Sequence, residues 1–400
     1  MCSLYTSVQR IELHELKKGY RAKQEGGGIM NKQSKYVMVI VNAVSNLVNF
    51  RHELILELLN KGYGVIIVSP FGSELNTYEQ LGCKIIIQPV NRHGKNVLQD
   101  MMLMLKYFQY VKKWKPFCVL TYTIKPNLYG GFVSRLLRVP YLINITGLGV
   151  AFSNKTPMTN VIIHMYRRVL KHAKCVFFQN KNNRQAFLRL KIPFYHSVIL
   201  PGSGVNLSFY GKQPYPPNDG VFRFAFISRI MKDKGIHEVV YAARILGKKY
   251  PNIEFHILGA CEDDYASQME EWSKEKNIIY HGVQRDTRPF MKQCDCLIHP
   301  SYHEGMSNVC LEAAATGRPI LASNIPGCRE IFDDGFSGIG FEPRNVNALV
   351  KAIERYISIP YEERKLMGER ARKKVEEKFD RKLVIDAYMD EIECLEAMRS

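Results

Sequence analysis

The sequence predicts an α/β protein of two domains, each with a parallel, doubly wound sheet, and three observations lead there. Short apolar runs alternate with amphipathic helical stretches from about residue 36 onward. Those runs are apolar almost throughout, as strands covered by helices on both faces must be. The alternation breaks once, at the Gly- and Pro-rich stretch 201–217 (PGSGVNLSFYGKQPYPP), and then restarts, which marks a domain boundary. At 400 residues the chain also exceeds the roughly 100–200 residues of one ordinary domain.

Taken in order, residues 36–41 (YVMVIV) read as a buried strand and 50–61 as an amphipathic helix. Strands follow at 64–69, 84–88, 118–122, 141–145 and 175–179, with helices at 97–115 and 160–174. Each strand run is short and rich in β-branched and aromatic residues. The second half repeats the pattern: strands 222–228, 253–258, 278–281, 296–300 and 319–323, helices 236–250, 308–316 and 346–358, and a helical tail from 361. The expected map is a disordered extension over 1–29, a first domain over 30–205, a linker over 206–217, a second domain over 218–378, and a C-terminal helix over 379–400 that packs back on the first domain. Residues 1–29 end in Gly26-Gly27-Gly28, carry Glu12, Glu15 and Glu25, and lack the apolar core of a signal peptide.

A hydrophobic fraction of 46% and a charged fraction of 24% exclude wholesale disorder, collagen-like repeats and a bundle of membrane spans. Ten cysteines show no close pairing beyond Cys294-x-Cys296, which reads as free thiols in a reducing cytoplasm. The net charge of +18 is unevenly placed: residues 1–200 hold 28 Lys/Arg against 8 Asp/Glu, residues 201–400 hold 28 against 30, and 101–218 contain no carboxylate side chain. So one-sided a block points to an anionic partner. Helix 160–174 sets Val161, Ile162, Met165, Tyr166, Val169 and Leu170 on one stripe, with Arg167, Arg168, Lys171 and Lys174 largely opposite. Helix 97–115 combines Met101, Met102, Leu105, Phe108 and Trp114 with Lys106, Lys112, Lys113 and Lys115. Such helices suit an anionic bilayer surface; the alternative is a core-packed helix with a solvated basic face.

The sharpest chemical signal is 303–313 (HEGMSNVCLEA), which sets Glu304 and Glu312 eight positions apart. It follows the apolar run 296–300, so Glu304 falls at a strand's carboxyl end, where ligands bind in open α/β sheets. The small residues after it let backbone N–H groups approach an anion at a helix start. Glu312 lies about two turns along, ~12 Å of helix axis, so the two carboxylates can address separate parts of an extended ligand. Leu311, Ala313, Ala314 and Ala315 make a merely solvated face a poor explanation of Glu312. A second cluster, 228–235 (SRIMKDKG), puts Arg229 and Lys234 at a strand-to-helix turn, a fork and a point charge for phosphate. Glu262, Asp263 and Asp264 read as an exposed acidic turn rather than a metal site.

The order R-x4-K-G (229–235), a Gly turn (258–260), H-G-V-x-R-D (281–286), E-x7-E (304–312) and G-R-P-I-L-A-S (317–323) resembles the retaining glycosyltransferases of family 4, over essentially residues 35–400. The strings TIKPNLYGG (123–131), ITGLG (145–149) and EGMSNV (304–309) look like the capsule, O-antigen and N-glycan-precursor subgroup, whose members extend a polyprenyl-diphosphate-linked sugar.

The resemblance implies a GT-B fold: two facing Rossmann-like domains with parallel sheets and an inter-domain cleft, the first for the acceptor and the second for the nucleotide-sugar. It implies that Arg229 and Lys234 hold the donor diphosphate, that Glu304 contacts donor-sugar hydroxyls and that Glu312 binds the ribose hydroxyls. Arg229, Lys234 and Glu304 are the expected catalytic residues. Gly305, Met306, Ser307, Asn308 and Gly259 complete the donor site, with Ser307 standing where proline is more frequent. On the acceptor or sugar side the resemblance places Tyr122, Lys125, Asn127, Gly147 and Gly149. Tyr122 takes the place of a histidine that many members carry at the end of the fourth strand.

The expected activity is retaining transfer from a UDP-hexose or UDP-N-acetylhexosamine to a polyprenyl-diphosphate-linked saccharide, in surface-polysaccharide or glycan-precursor synthesis. A protein nucleophile requires a carboxylate at the anomeric carbon; 101–218 offers none, though Glu53 and Glu57 remain upstream, and a front-face route is favoured. No cofactor and no metal are expected, because Arg229 and Lys234 supply the positive charge. The partners expected are the nucleotide-sugar, the lipid-linked acceptor and an anionic membrane surface met by the N-terminal half. The expected location is cytoplasmic, peripheral on the inner face of the cell membrane; the oligomeric state is left open. A family 4 enzyme with a soluble acceptor would share every donor motif but not the basic, apolar first domain. A sugar-nucleotide epimerase shares the fold without this pairing of motifs. A nucleic-acid-binding protein would explain the charge and show steep salt dependence, but leaves Glu304 and Glu312 without a role, so no nucleic-acid partner is expected.

Overall fold

A computed structural model describes residues 35–91, 96–147, 157–262 and 265–399; the extension expected over 1–29 lies outside them. The chain divides into two compact units, one reaching to Leu200 and taking in Val384–Ser400, the other Pro201–Leu383.

The first unit carries seven strands: β1 (Tyr36–Ile40), β2 (Gly64–Ser69), β3 (Lys84–Ile87), β4 (Cys118–Tyr122), β5 (Tyr141–Ile145), β6 (Cys175–Phe178) and β7 (Ser197–Ile199). All pair in parallel, in the order β3-β2-β1-β4-β5-β6-β7. Alternate residues feed two cores, Val37, Val39, Val65 and Leu120 on one face and Met38, Ile40, Ile66 and Val119 on the other. That double burial is why the strands read as unbroken apolar runs.

The second unit carries β8 (Phe222–Ile227), β9 (Ile253–Leu258), β10 (Ile278–Tyr280), β11 (Cys296–His299), β12 (Ile320–Ser323) and β13 (Gly338–Phe341), again all parallel, in the order β10-β9-β8-β11-β12-β13. In both sheets the order reverses beside the first strand, between β1 and β4 and between β8 and β11. Loops leaving the carboxyl ends there diverge to opposite faces and open a ligand crevice.

Four expectations need correction. β7 and β13 are strands where none was read; β7 is an edge strand with no fully buried residue, and β13 has two glycines, a residue depleted in strands. β12 starts at Ile320 rather than 319, because Pro319 has no N–H to give a ladder. The segment 206–217 is no free linker: the Gln213 N–H donates to the Thr316 carbonyl at 3.1 Å, Arg318 donates to the Pro214 carbonyl, and the Tyr215 and Tyr356 hydroxyls are 2.6 Å apart. Its Gly and Pro content marks irregular backbone fastened to the second unit. The helix Val97–Trp114 buries Leu103, Tyr107 and Val111 and packs Phe108 and Trp114 on the core, while Val97, Leu98, Met101, Met102 and Leu105 are exposed. The apolar residues read as one set thus face two ways.

From Val384 on, the C-terminal helix belongs to the first unit. Tyr388 packs 4.2 Å from the Phe177 ring and its hydroxyl accepts from Asn144 Nδ2 at 2.6 Å. No helix among the described residues is long and apolar enough to cross a membrane.

Candidate functional site

The loops leaving β8 and β11 build the site. After β8 the chain passes Ser228–Met231 into a tight turn, Lys232–Lys234, then Gly235 at φ 76° and the helix Ile236–Lys249. A Cβ on Gly235 would stand 2.3 Å from the Pro300 carbonyl oxygen, so both backbone conformation and close approach demand glycine. The Tyr302 N–H donates to the Asp233 carbonyl at 2.9 Å, tying the two loops together.

That closure brings Lys234 Nζ to 2.6 Å from Glu304 Oε1. His299, the buried last residue of β11, sets its Nε2 3.0 Å from the same oxygen and 3.1 Å from Ser307 Oγ. Ser307 in turn caps the helix Asn308–Ala315, accepting from the Cys310 N–H. Burial alone would raise the Glu304 carboxyl, but His299, by hydrogen bond and charge, and Lys234 hold it down to about 2. Burial opposes a charge on His299, yet Cys310 and Glu304 shift its pKa upward. The product is a carboxylate favoured in its ionised form beside an ammonium, their side chains 14% and 18% exposed, screened from bulk water but open to a ligand.

Arg229 shares the loop but not the cluster. Its exposed guanidinium pairs with Glu262, and exposed pairs contribute about 0–1 kcal/mol, so a more highly charged anion can take the guanidinium over. Gly259, just past β9, packs against the Ser228 carbonyl so closely that a Cβ would stand 1.7 Å from that oxygen; its role is to let the loops after β8 and β9 touch. Met306 is buried, Gly305 and Asn308 are half-buried, and Asn308 Oδ1 has no partner among the described residues. Glu312 is half-buried in the second turn of the capped helix. Burial pushes its carboxyl up to about 7, against the opposing pull of Arg381 and the Tyr210 hydroxyl.

The residues expected on the acceptor side are more dispersed. Tyr122 ends β4 on the same face as Leu120 and Leu142, with Arg51 4.3 Å over its ring and the Tyr388 ring 6.1 Å away. Strand alternation therefore turns this ring into the helix-covered core, where burial raises its hydroxyl pKa. Lys125 Nζ pairs with Asp100 Oδ1 at 2.7 Å, the last carboxylate before the acid-free stretch. Asn127 is buried and donates through Nδ2 to the Asn144 carbonyl at 2.9 Å, a tie between the loop after β4 and β5. Gly147 lies just past β5; Gly149 lies outside the described residues, as do Asp263 and Asp264. Thr123, at φ 71°, was not singled out, yet a β-branched residue rarely adopts that backbone, and it sits where the first sheet's order reverses.

Sequence reasoning missed His299, Tyr210 and Arg381. A polar residue closing an apolar run before Pro300 was a usable signal for His299. Tyr210 and Arg381 reach Glu312 across about 70 to 100 residues of chain, and nothing local announces them.

Two sequence families match: glycosyl transferases group 1 over residues 212–374 and glycosyl transferase 4-like over residues 37–180. The chain is 22% identical to the capsular polysaccharide biosynthesis glycosyltransferase CapM of Staphylococcus aureus, over 82% of this chain and 89% of that one. It is 23% identical to the N,N'-diacetylbacillosaminyl-diphospho-undecaprenol alpha-1,3-N-acetylgalactosaminyltransferase of Campylobacter jejuni, over 87% and 96%. Among solved structures, a glycosyltransferase from Rickettsia africae superposes with a TM-score of 0.74 at 20% identity, covering 91% of this chain and 99% of that one. Anabaena Alr3699/HepE in complex with UDP and glucose gives 0.73 at 18% identity, covering 89% and 98%. The two matched families take in both units, and the chain belongs to the glycosyltransferases of these group 1 and 4-like families, with the paired parallel-sheet domains of the GT-B fold.

Proposed function

We propose that this glycosyltransferase moves a sugar, with retention, from a UDP-hexose or UDP-N-acetylhexosamine to a saccharide carried on polyprenyl diphosphate, in surface-polysaccharide or glycan-precursor synthesis. The observation that carries the reading is the Lys234–Glu304–His299 cluster at the carboxyl ends of β8 and β11. An ammonium, a carboxylate held in its ionised form and two helix starts meet there, the chemistry a hydroxylated, diphosphate-bearing ligand requires. The Campylobacter relative's name specifies a diphospho-undecaprenol substrate, and the Anabaena structure holds UDP; both support the substrate classes.

In this reading Lys234, joined by Arg229 once it leaves Glu262, receives the diphosphate charge. Glu304 accepts hydrogen bonds from donor-sugar hydroxyls, and ionised Glu312 from the ribose hydroxyls. The bond from the anomeric carbon to the phosphate oxygen breaks with its electron pair leaving on the diphosphate. An acceptor hydroxyl attacks on the same face, and its proton passes to the departing phosphate oxygen. Preorganised cations aimed at that developing charge lower the barrier, and the proposal assigns no metal or other cofactor to the transfer.

The enzyme works on the inner face of the cell membrane as a peripheral protein. Support comes from the exposed stripe Val97, Leu98, Met101, Met102 and Leu105, flanked by exposed Lys106, Lys112, Lys113 and Lys115, an arrangement suited to an anionic bilayer. The test is consumption of a panel of UDP-sugars with and without bacterial lipid extract. Consumption of one donor that rises with the extract supports the lipid-linked acceptor; turnover on soluble sugars alone replaces it with a soluble one.

A further inference from the structure

His299 faces two ways. Its Nε2 is taken by Glu304 and Ser307, while its Nδ1 is buried with no partner among the described residues. A buried ring nitrogen left without a partner is costly. Close by are Cys310, in the first turn of the Ser307-capped helix, and Cys328: a ring nitrogen of His299 and the two Sγ atoms all lie within 4.8 Å of one another, and all three residues are buried. Neither thiol is in a disulfide.

We propose that His299, Cys310 and Cys328 form a site for a soft divalent metal of the zinc class, ligated through His299 Nδ1 and the two thiolates, with His299 Nε2–H donating to Glu304. Metal-bound histidines characteristically give their other N–H to a carboxylate, which fixes the tautomer and the ring, and Glu304 already stands at that position. Two sulfurs and one imidazole favour zinc over the hard cations. Zinc–sulfur bonds of about 2.3 Å and zinc–nitrogen bonds of about 2.0 Å require the three groups to draw in by no more than ~1 Å. On binding, the two thiol protons leave to solvent and no electrons move. The metal would hold the Glu304 orientation from behind rather than touch the reacting sugar. This site owes nothing to the choice of donor or acceptor.

The test is zinc titration of the reduced full-length protein against a chromophoric chelator, with thermal unfolding in parallel. A second group, Cys175, His196 and Glu391, also brings ligand atoms within 4.8 Å, with His196 exposed, so Cys175→Ala separates the two. The expected result is about one zinc per chain and a Tm rise of several degrees, both kept in Cys175→Ala and weakened tenfold or more in Cys328→Ala. Cobalt(II) added to the unaltered protein should give an intense sulfur-to-metal charge-transfer band, which needs no variant to fold. Zinc binding that is absent, survives in Cys328→Ala or disappears in Cys175→Ala overturns the proposal, as does cobalt uptake without that band.

Discussion

Lys234 and Glu304 pair at 2.6 Å, and the proposed transfer should feel the loss of either. Lys234→Ala and Glu304→Gln are each expected to lower kcat/KM for the nucleotide-sugar by about 10²–10³-fold, the usual effect of losing one electrostatic stabiliser, read from steady-state donor consumption. The two site carboxyls titrate in opposite senses. Glu304, held down to about 2, contributes stability that is present above its ordinary value of 4.5 and lost as the pH falls toward 2. Glu312, pushed up to about 7, contributes stability that is present below 4.5 and lost as the pH rises through 7. Glu312→Gln should therefore raise Tm at pH 8 and leave it nearly unchanged at pH 5; equal shifts at both would show that burial does not govern this carboxyl. An ionised carboxylate is the stronger acceptor, so in the role proposed for Glu312 UDP affinity should weaken as the pH drops below about 7, and calorimetry should find that slope gone in Glu312→Gln.

The loops after β8, β9 and β11 depend on glycine at two close approaches. Gly235→Ala forces a side chain into a left-handed backbone against the Pro300 carbonyl and should cost at least about 1–3 kcal/mol, measured from urea unfolding midpoints. An unchanged midpoint would mean that the loops can part without cost. The same elements show what the sequence makes legible. β1, β2 and β8 are readable because helices cover both faces, which writes continuous apolar runs into the chain. Glu304 is readable because it follows such a run directly. β13 is half glycine and writes no β-branched run into the chain, and a Glu312 environment assembled from Tyr210 and Arg381 exists only in three dimensions. Tyr122 shows the converse: it stands at the end of the fourth strand as its sequence position implies, but strand alternation, not position, decides where its ring points. In the helix Val97–Trp114, Met101, Met102 and Leu105 stabilise nothing visible in the fold. Changing all three to serine should leave Tm unchanged and lower partition into anionic vesicles at least tenfold, given ~1.5–3 kcal/mol per buried apolar side chain. Undiminished flotation with vesicles would remove the stripe from the account.

Across the whole molecule the charge is divided, 28 Lys/Arg against 8 Asp/Glu in residues 1–200 and near balance beyond. Binding to anionic vesicles should fall steeply between low and physiological salt, as screening shortens the reach of that field, while UDP binding in the screened site should change little. Sedimentation and calorimetry at matched ionic strengths would separate the two. Sugar transfer from a UDP-linked donor to a lipid-linked acceptor by the loops after β8 and β11 can be followed in a single assay. Each UDP-sugar of a panel is incubated with unaltered protein, Lys234→Ala and Glu304→Gln, with bacterial lipid extract, and labelled sugar is followed into the lipid fraction. The expected result is transfer from one donor by the unaltered protein and a loss of about two orders of magnitude or more in both variants. Transfer that survives in both variants, or no transfer into lipid from any donor, would contradict it.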